Sequence, residues 1–395
     1  MAGGVRALAL NAGSSSLKAA LYEVEPGAAL AVPGVPVWAG AVDRDPGDRG
    51  AAARELLREL PDDVDAVGHR IVHGGPRLHA PALLTDEVKA AVREVSELAP
   101  LHNAAGLEGV AAAEERFAGA AQVAVFDTAF HSRLAPAART YAGPHEWADR
   151  GLRRYGFHGI NHEYAAQRAA HLLGRPLGEL RLITCHLGSG CSLAAIRGGR
   201  SVDTTMGFTP LEGVVMGTRA GSLDPGLLLH LLREPGASVD GLDALLHHGS
   251  GLRGLSGVSG DLREVVAARD RGDERARLAL DVYVHRLRFH LGAMLGALGG
   301  LDAVVFTAGV GEHSAEVRAA VLEPFAFLGV ALDGERNAGP RLDCDVAAPG
   351  SPVRVVIARA QEEWAIARAA ARVTGGRRAP WEDGARPQPA VSRRS

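Results

Sequence analysis

Several polar clusters interrupt or end apolar segments, and they hold the carboxylates, arginines and histidines that could bind or position a ligand. Asp127 closes the apolar run Val123-Ala124-Val125-Phe126, which reads as a strand. The C-terminal end of a strand is where α/β sheets present ligand-facing carboxylates. Arg70 lies inside the strand-like Gly68-His69-Arg70-Ile71-Val72. Arg219 is flanked by glycine in Met216-Gly217-Thr218-Arg219-Ala220-Gly221, where backbone can come close to a ligand. Glu362 and Glu363 open a helical stretch after the apolar Val353 to Ala358. His131, His158 and His162 follow Asp127. The last two are spaced i, i+4, but Gly159 argues against a helix there and so against a zinc pair.

Three glycine-rich segments could turn backbone N–H groups toward phosphate. They are Asn11-Ala12-Gly13-Ser14-Ser15-Ser16, His186-Leu187-Gly188-Ser189-Gly190, and Gly309-Val310-Gly311-Glu312 between a strand and the helical stretch Ser314 to Leu322. No G-x-x-x-x-G-K-[ST] occurs, so none is a Walker loop. Lysine appears only at Lys18 and Lys89, arginine serving elsewhere. Lys89 sits on a polar helical surface. Lys18 follows the first Gly-Ser turn and reads as a compact cation needed there.

These groups need paired strand–turn–strand units to hold them. Arg6 to Leu10 turns back as Leu17 to Val24, and Leu182 to Leu187 turns back into Cys191 to Ile196. Laying Gly13 on Gly188 matches Ser14 to Ser189 and Ala19-Ala20 to Ala194-Ala195, and Val123 to Ala129 resembles Ala303 to Gly309. The spacing of about 175–180 residues is too long for a solenoid and implies two similar domains facing each other. Helical periodicity covers Ala51–Leu60, Asp86–Leu98, Glu163–Leu173, Asp261–Arg271 and Glu274–Leu298, the last apolar on nearly every face and hence core or subunit interface. Hairpins mixed with helices give an α/β fold with mixed sheets. The tail from Gly375 to Ser395 reads as disordered.

The 395 residues suit two domains. A chain 47% hydrophobic and 23% charged is not wholesale disordered, and a net charge of −3 does not suit a dedicated nucleic-acid binder. Three cysteines give no disulfide framework. No apolar run approaches the roughly 18 residues of a membrane span. The start at Met1 to Arg6 lacks a signal peptide's apolar region, so a reducing cytoplasm is expected.

Asn11-Ala12-Gly13-Ser14-Ser15-Ser16-Leu17-Lys18 resembles the first signature of the acetate kinase family. Asp203-Thr204-Thr205-Met206-Gly207-Phe208-Thr209-Pro210-Leu211-Glu212-Gly213, with Met216 to Arg219, resembles the second. Val125 to His131, Arg154 to Gly159 and Phe306 to Glu312 match in order, and the resemblance runs from about Leu8 to Arg372. It implies an actin-like, sugar-kinase-like fold: two duplicated ribonuclease H-like domains with a nucleotide cleft between them. Their limits would be 1–150, completed by a helix at 361–374, and 151–360, carrying the adenosine site and the dimer interface. The implied reaction is reversible in-line phosphoryl transfer from ATP to acetate, giving acetyl phosphate and ADP. It would use Mg²⁺, or Mn²⁺ in its place, in a cytoplasmic homodimer.

By motif, Asn11, Asp127 and Glu362 fall on metal-organising positions, and Asp127 also on the family's acid/base assignment. Lys18, with Ser14 and Ser16, falls on the nucleotide phosphates, Arg70 on a carboxylate-binding arginine, and His158 and Arg219 on transition-state stabilisers. His186, Leu187, Gly188, Ser189 and Gly190 correspond to one nucleotide loop, and Gly309, Val310, Gly311, Glu312 and His313 to another. Asp261, Leu262 and Arg263 correspond to a segment beside the adenosine. Val72, Leu101, Phe157 and Pro210 match the apolar pocket around the substrate methyl. A carboxylate with a pKa of about 4 to 5 is ionised at neutral pH and needs no general base, so Asp127 reads as a metal organiser first. Ser189 and His313 stand where the family usually has asparagine, Ala104-Ala105-Gly106 replaces a Pro-containing turn, and Ala360-Gln361 replaces Thr-Asn. The charged matches survive. Alternative readings are a propionate or butyrate acceptor, a pyrophosphate donor, or a nucleotide-gated binding protein without turnover. One methylene is worth only about 1–3 kcal/mol of discrimination.

Overall fold

A computed structural model describes residues 4–13, 16–43, 49–96, 100–339 and 341–375. The apolar segments around the first Gly-Ser turn form β1 (Val5–Ala12) and β2 (Ser16–Val24), paired antiparallel, with β3 (Trp38–Asp43) antiparallel beyond β2. On its other side β1 runs parallel to β4 (Ala66–Ile71), and β4 parallel to β6 (Ala121–Phe126). The short β5 (Ala82–Leu83) closes that edge antiparallel. The second sheet is built from β7 (Arg181–Leu187), β8 (Cys191–Arg197), β9 (Arg200–Thr204), β10 (Ala303–Thr307), β11 (Cys344–Asp345) and β12 (Arg354–Ile357). The orders are β3-β2-β1-β4-β6-β5 and, from the matching edge, β9-β8-β7-β10-β12-β11, with the same parallel and antiparallel pairings. One six-stranded mixed topology therefore occurs twice, as the duplicated α/β reading expects.

The duplication is not a fixed offset. Val123 to Ala129 does not correspond to Ala303 to Gly309: β10 is the counterpart of β4, and β6 the counterpart of β12. The second half carries the long segment 205–302 between β9 and β10, which stretches the spacing after the hairpin. The hairpins also differ in register. Ala12 pairs with Leu17 but Leu187 with Cys191, so the second turn is one residue shorter. Leu193, not Ala194, is then the partner of Cys185 as Ala19 is of Leu10, and Ser192 stands where Lys18 stands in the first half. Matching apolar letters does not detect a one-residue slip, although the slip reverses which face each side chain takes.

The sequence-predicted helix Glu274–Leu298 forms with the expected ends, and the others form with shifted ones, at Arg49–Arg58, Asp86–Glu94 and Leu262–Asp270. Glu274–Leu298 buries Ala276, Ala279, Leu280, Tyr283, Leu287, Leu291, Met294 and Leu298, in steps of one to four, within the largest core under the second sheet. Its other side leaves Leu278 and Phe289 more than half exposed. The C-terminal helix Glu362–Thr374 returns to the first sheet, where Trp364, Ile366, Ala367 and Ala370 pack with Ala7, Ala9, Ala20 and Val123. Helix Gly159–Leu173 lies between the halves. Ile160 and Tyr164 join the first sheet's core, while Ala165, Ala166, Ala169 and Ala170 meet Leu182, Ala194, Val305 and Val356 of the second.

That helix corrects the reading of Gly159, which begins the helix rather than preventing it. A Cβ at Gly159 would stand 2.2 Å from the Asp127 carbonyl oxygen, and its own N–H donates to that oxygen at 2.9 Å. The glycine serves close approach of the helix to the end of β6. Among the described residues no helix is long and apolar enough to cross a membrane. Residues 376–395, read as a disordered tail, lie outside the described residues.

Candidate active site

A cleft of about 550 Å³ collects residues from both halves. Asn11, Gly13, Ser16 and Lys18 come from the β1–β2 turn, and Arg70, Val72 and Asp127 from the ends of β4 and β6. His186, Gly188, Ser189 and Gly190 come from the matching β7–β8 turn. Phe157, His158, Pro210, Arg219, Ala308, Gly309, Glu312 and the stretch from Arg359 to Glu363 complete the lining. The two duplicated glycine turns thus face one space.

Not every expected residue reaches it. Ser14 and the side chain of Leu101 lie outside the described residues. Asp261, Leu262 and Arg263 are absent from the cleft lining: Asp261 caps helix Leu262–Asp270 by accepting from Arg263 N at 2.9 Å, Leu262 is core, and Arg263 is exposed. Leu187 is buried core, Val310 packs against that core, and Gly311 is buried. His313 projects outward beside Glu312. The segment read as a loop at Gly309 to Glu312 is a short helix, Ala308–His313, entered through Ala308 at a left-handed φ of 64°. The fully buried Arg318 donates from Nη1 to the carbonyls of Gly311 and Glu312 at 2.9 and 3.0 Å and so holds its last turn.

The acidic side of the cleft is organised by Arg70. Its Nε and Nη2 donate to both Asp127 oxygens, the shortest contact being 2.6 Å, and its Nη1 donates to Asn11 Oδ1 at 3.2 Å. Asn11 Nδ2 in turn donates to Glu362 Oε2 at 2.8 Å and Glu363 Oε1 at 2.9 Å. Burial raises the Asp127 pKa above its ordinary value, and the Arg70 guanidinium only partly offsets that rise. Burial also disfavours a charged Arg70, but Asp127 and Glu362 outweigh it and make the guanidinium more basic than usual. An arginine that touches both oxygens does not release its proton, so this is an ion pair. Burial opposes the charge on Glu362 as well, yet Arg70, then His186 and the Asn11 amide, hold its pKa below the usual carboxylate value.

Across the cleft lies a group of buried histidines. His158 caps helix Gly159–Leu173 in a left-handed conformation, φ 56° and ψ 21°, a strained geometry that a side chain tolerates only where its surroundings enforce it. Its ring stacks on His186, centroids 4.1 Å apart and planes 18° apart, and its Nδ1 lies 2.8 Å from Ser192 Oγ. His162, on the next turn, reaches the same hydroxyl through Nε2 at 2.7 Å and Thr184 Oγ1 through Nδ1 at 2.7 Å. The i, i+4 histidines therefore share a serine. Among the described residues no group of three His, Cys, Asp or Glu side chains is placed to hold a metal ion by itself. Burial, then the closeness of a second imidazole at His186 and of the Arg70 guanidinium, pushes the His158 pKa well below 6.5. Arg219 Nη1 donates to the Pro210 carbonyl at 3.1 Å, and burial lowers its pKa. A Cβ at Gly190 would stand 3.1 Å from Arg219 Nη2 and 3.3 Å from His158 Nε2, so glycine keeps open the space both groups border.

Ser192, Thr184 and Arg359 belong to this arrangement and are not among the sequence-predicted site residues, and Glu363, expected only to open a helix, joins them. Thr184 and His186 alternate along β7 and so share a face, a signal present in the sequence but easily lost in an apolar strand.

The model of the family described as the acetokinase family matches residues 51–368. The chain belongs to the acetokinase family. It is 50% identical to the acetate kinase of Gloeobacter violaceus over 397 residues, covering 92% of this chain and 98% of that one. A solved member, the acetate kinase of Porphyromonas gingivalis, is 39% identical with a TM-score of 0.82, covering 94% of this chain and 100% of its own. A propionate kinase of Francisella tularensis is 31% identical with a TM-score of 0.83, covering 92% and 98%.

Histidine burial makes the fold sensitive to acid. Burial lowers His69, His131 and His186 to about 4 in the folded chain, against an ordinary value of 6.5. Between those values the unfolded chain binds more protons, so this stabilisation is complete above about pH 6.5 and is lost as pH falls toward 4. Melting temperature measured across that range is expected to fall steadily below pH 6.5. A flat profile down to pH 4.5 would contradict neutral, buried histidines.

Proposed function

We propose that the cleft transfers the terminal phosphoryl group of ATP to acetate, reversibly, giving acetyl phosphate and ADP. The observation that carries this reading is the shared space in front of Gly190, bordered by Arg219 and His158 Nε2 in the same cleft as the apolar Val72, Phe157 and Pro210. Half identity to an acetate kinase over nearly the whole chain supports acetate as the acceptor.

Acetate is already ionised at neutral pH, so no residue need remove a proton from it. The barrier lies in bringing two anions together. Val72, Phe157 and Pro210 exclude water around the methyl group. Arg219 and His158 hold the phosphoryl oxygens, and fixed donors of this kind supply most of the catalysis in phosphoryl transfer. Arg70 has a different place from the simple carboxylate clamp the resemblance implies, because Asp127 and Asn11 already engage its three nitrogens. It positions Asp127 and adds positive potential for the incoming carboxylate. The turns at Gly13 and Gly188, with Lys18 and Gly309, face the nucleotide phosphates. We place 1–150 with 361–374 in one lobe and 151–360 in the other.

The oxygen donors suit Mg²⁺. Asp127 and Glu362, with Asn11 beside them, are hard ligands beside a phosphate site, and Mg²⁺ takes its remaining ligands from water and substrate. When bound, the ion supplies charge neutralisation at the nucleotide phosphates. Mn²⁺ fits the same donors.

A second copy of the chain completes the molecule in this reading. Helices Pro225–Leu231 and Val239–His248 bury none of their residues, leaving Leu227, Leu229, Val239 and Leu245 exposed. Light scattering is expected to give twice the 41.1 kDa of one chain. A mass of one chain would overturn the dimer.

A hydroxamate assay with Mg²⁺, offering acetate, propionate and butyrate with ATP or pyrophosphate, tests the reaction. Acetate with ATP is expected to give the highest kcat/KM, and Arg219→Ala to lower kcat by roughly 10²–10³. Product only with a longer acid or with pyrophosphate would contradict the assignment. No product from folded, ATP-binding protein would leave a binding protein.

A further inference from the structure

We propose that Thr184, His162 and Ser192 form a one-way hydrogen-bond relay that fixes His158 as an Nε2–H donor to the cleft. The inference rests on the reading of His158 as a phosphoryl-oxygen donor and makes the other three its positioning residues. The links are Thr184 Oγ1 to His162 Nδ1 at 2.7 Å, His162 Nε2 to Ser192 Oγ at 2.7 Å, and Ser192 Oγ to His158 Nδ1 at 2.8 Å.

Counting protons sets the direction. Thr184, His162 and Ser192 are fully buried, and a buried hydroxyl left without an acceptor is costly. Among the described residues Thr184 Oγ1 meets no hydrogen-bond partner besides His162 Nδ1, so its proton goes there and that nitrogen is bare. A histidine with a bare Nδ1 carries its proton on Nε2, which then donates to Ser192 Oγ. The Ser192 hydroxyl has one remaining partner, His158 Nδ1, and donates to it. His158 is left with its proton on Nε2, the nitrogen beside Gly190 and Arg219. Run the other way, the chain would leave the Thr184 hydroxyl without an acceptor and present a lone pair to an anionic phosphoryl group. The stacked His186 ring holds the plane of His158, while the relay sets its protonation pattern. In the first half the place of Ser192 is taken by Lys18, so the two related hairpins serve the cleft differently.

The test is imidazole ¹H–¹⁵N NMR on the full chain labelled at histidine, with His158 assigned by its loss in His158→Gln. His158 and His162 are both expected to carry the proton on Nε2. A proton on Nδ1 of either, in the unaltered protein, would overturn the relay, and this reading needs no variant to fold. Ser192→Ala is expected to give mixed His158 tautomers and a kcat lower by roughly ten- to a hundredfold, with the KM of acetate and ATP within about twofold. Thr184→Val, which keeps the side-chain shape, should show the same mixing. Wild-type kcat in Ser192→Ala would overturn the positioning role. Wild-type kcat in His158→Ala would instead remove the reading on which the relay rests, whatever the tautomers show.

Discussion

One guanidinium holds the acidic half of the cleft together. Arg70 binds Asp127 through two nitrogens and Asn11 through the third, and Asn11 carries Glu362 and Glu363. Through these contacts the ends of β4, β6 and β1 and the first turn of the C-terminal helix are fixed relative to each other. Asp127 is buried and Arg70 largely so, and a pair so placed is stable only while both partners are present. Three carboxylates, Asp127, Glu362 and Glu363, thus gather about Arg70, with Lys18 near enough to favour the charge on Glu362. The start of the C-terminal helix adds its positive end to Glu362 and Glu363.

The opposite wall solves a different problem. It must offer hydrogen bonds to an anion while Arg70 and Arg219 already stand close by. Further cations there would repel both. Burial keeps His158, His162 and His186 neutral, so donors can crowd without adding charge. The strain at His158 follows from its place: it must end the approach from Phe157, cap a helix and turn its ring to the cleft, all within one residue. Gly159 makes this feasible by letting the helix begin against the Asp127 carbonyl, so the acidic wall and the histidine wall are built on adjacent backbone.

Much of this was legible in the sequence, for physical reasons. Asp127 and the glycine turns sit at strand ends, where a change from apolar to polar letters marks a change of environment. Arg70 is an interruption in an apolar run, and its strand is where the structure places it. Ser192 and Thr184 were not legible, because small hydroxyls inside apolar strands are common and their role depends on which helix crosses them. The β4–β10 correspondence was hidden by the inserted segment 205–302, and the hairpin register by a one-residue difference in turn length. Gly159 misled because glycine has two uses, and only the carbonyl above it distinguishes close approach from a helix break. Lys89, the other lysine, pairs with Glu114, its side chain mostly covered rather than on the open polar surface that its setting suggested.

Arg70 and Asp127 depend on each other, and a double-mutant cycle on stability measures that dependence. Arg70→Met and Asp127→Asn are measured singly and together by denaturant unfolding. Each single change is expected to cost roughly 3–5 kcal/mol, because it leaves a buried charge without its partner, and the double variant should cost little more than one of them. Costs that simply add would show that the two side chains act independently and leave Arg70 as one contact among many.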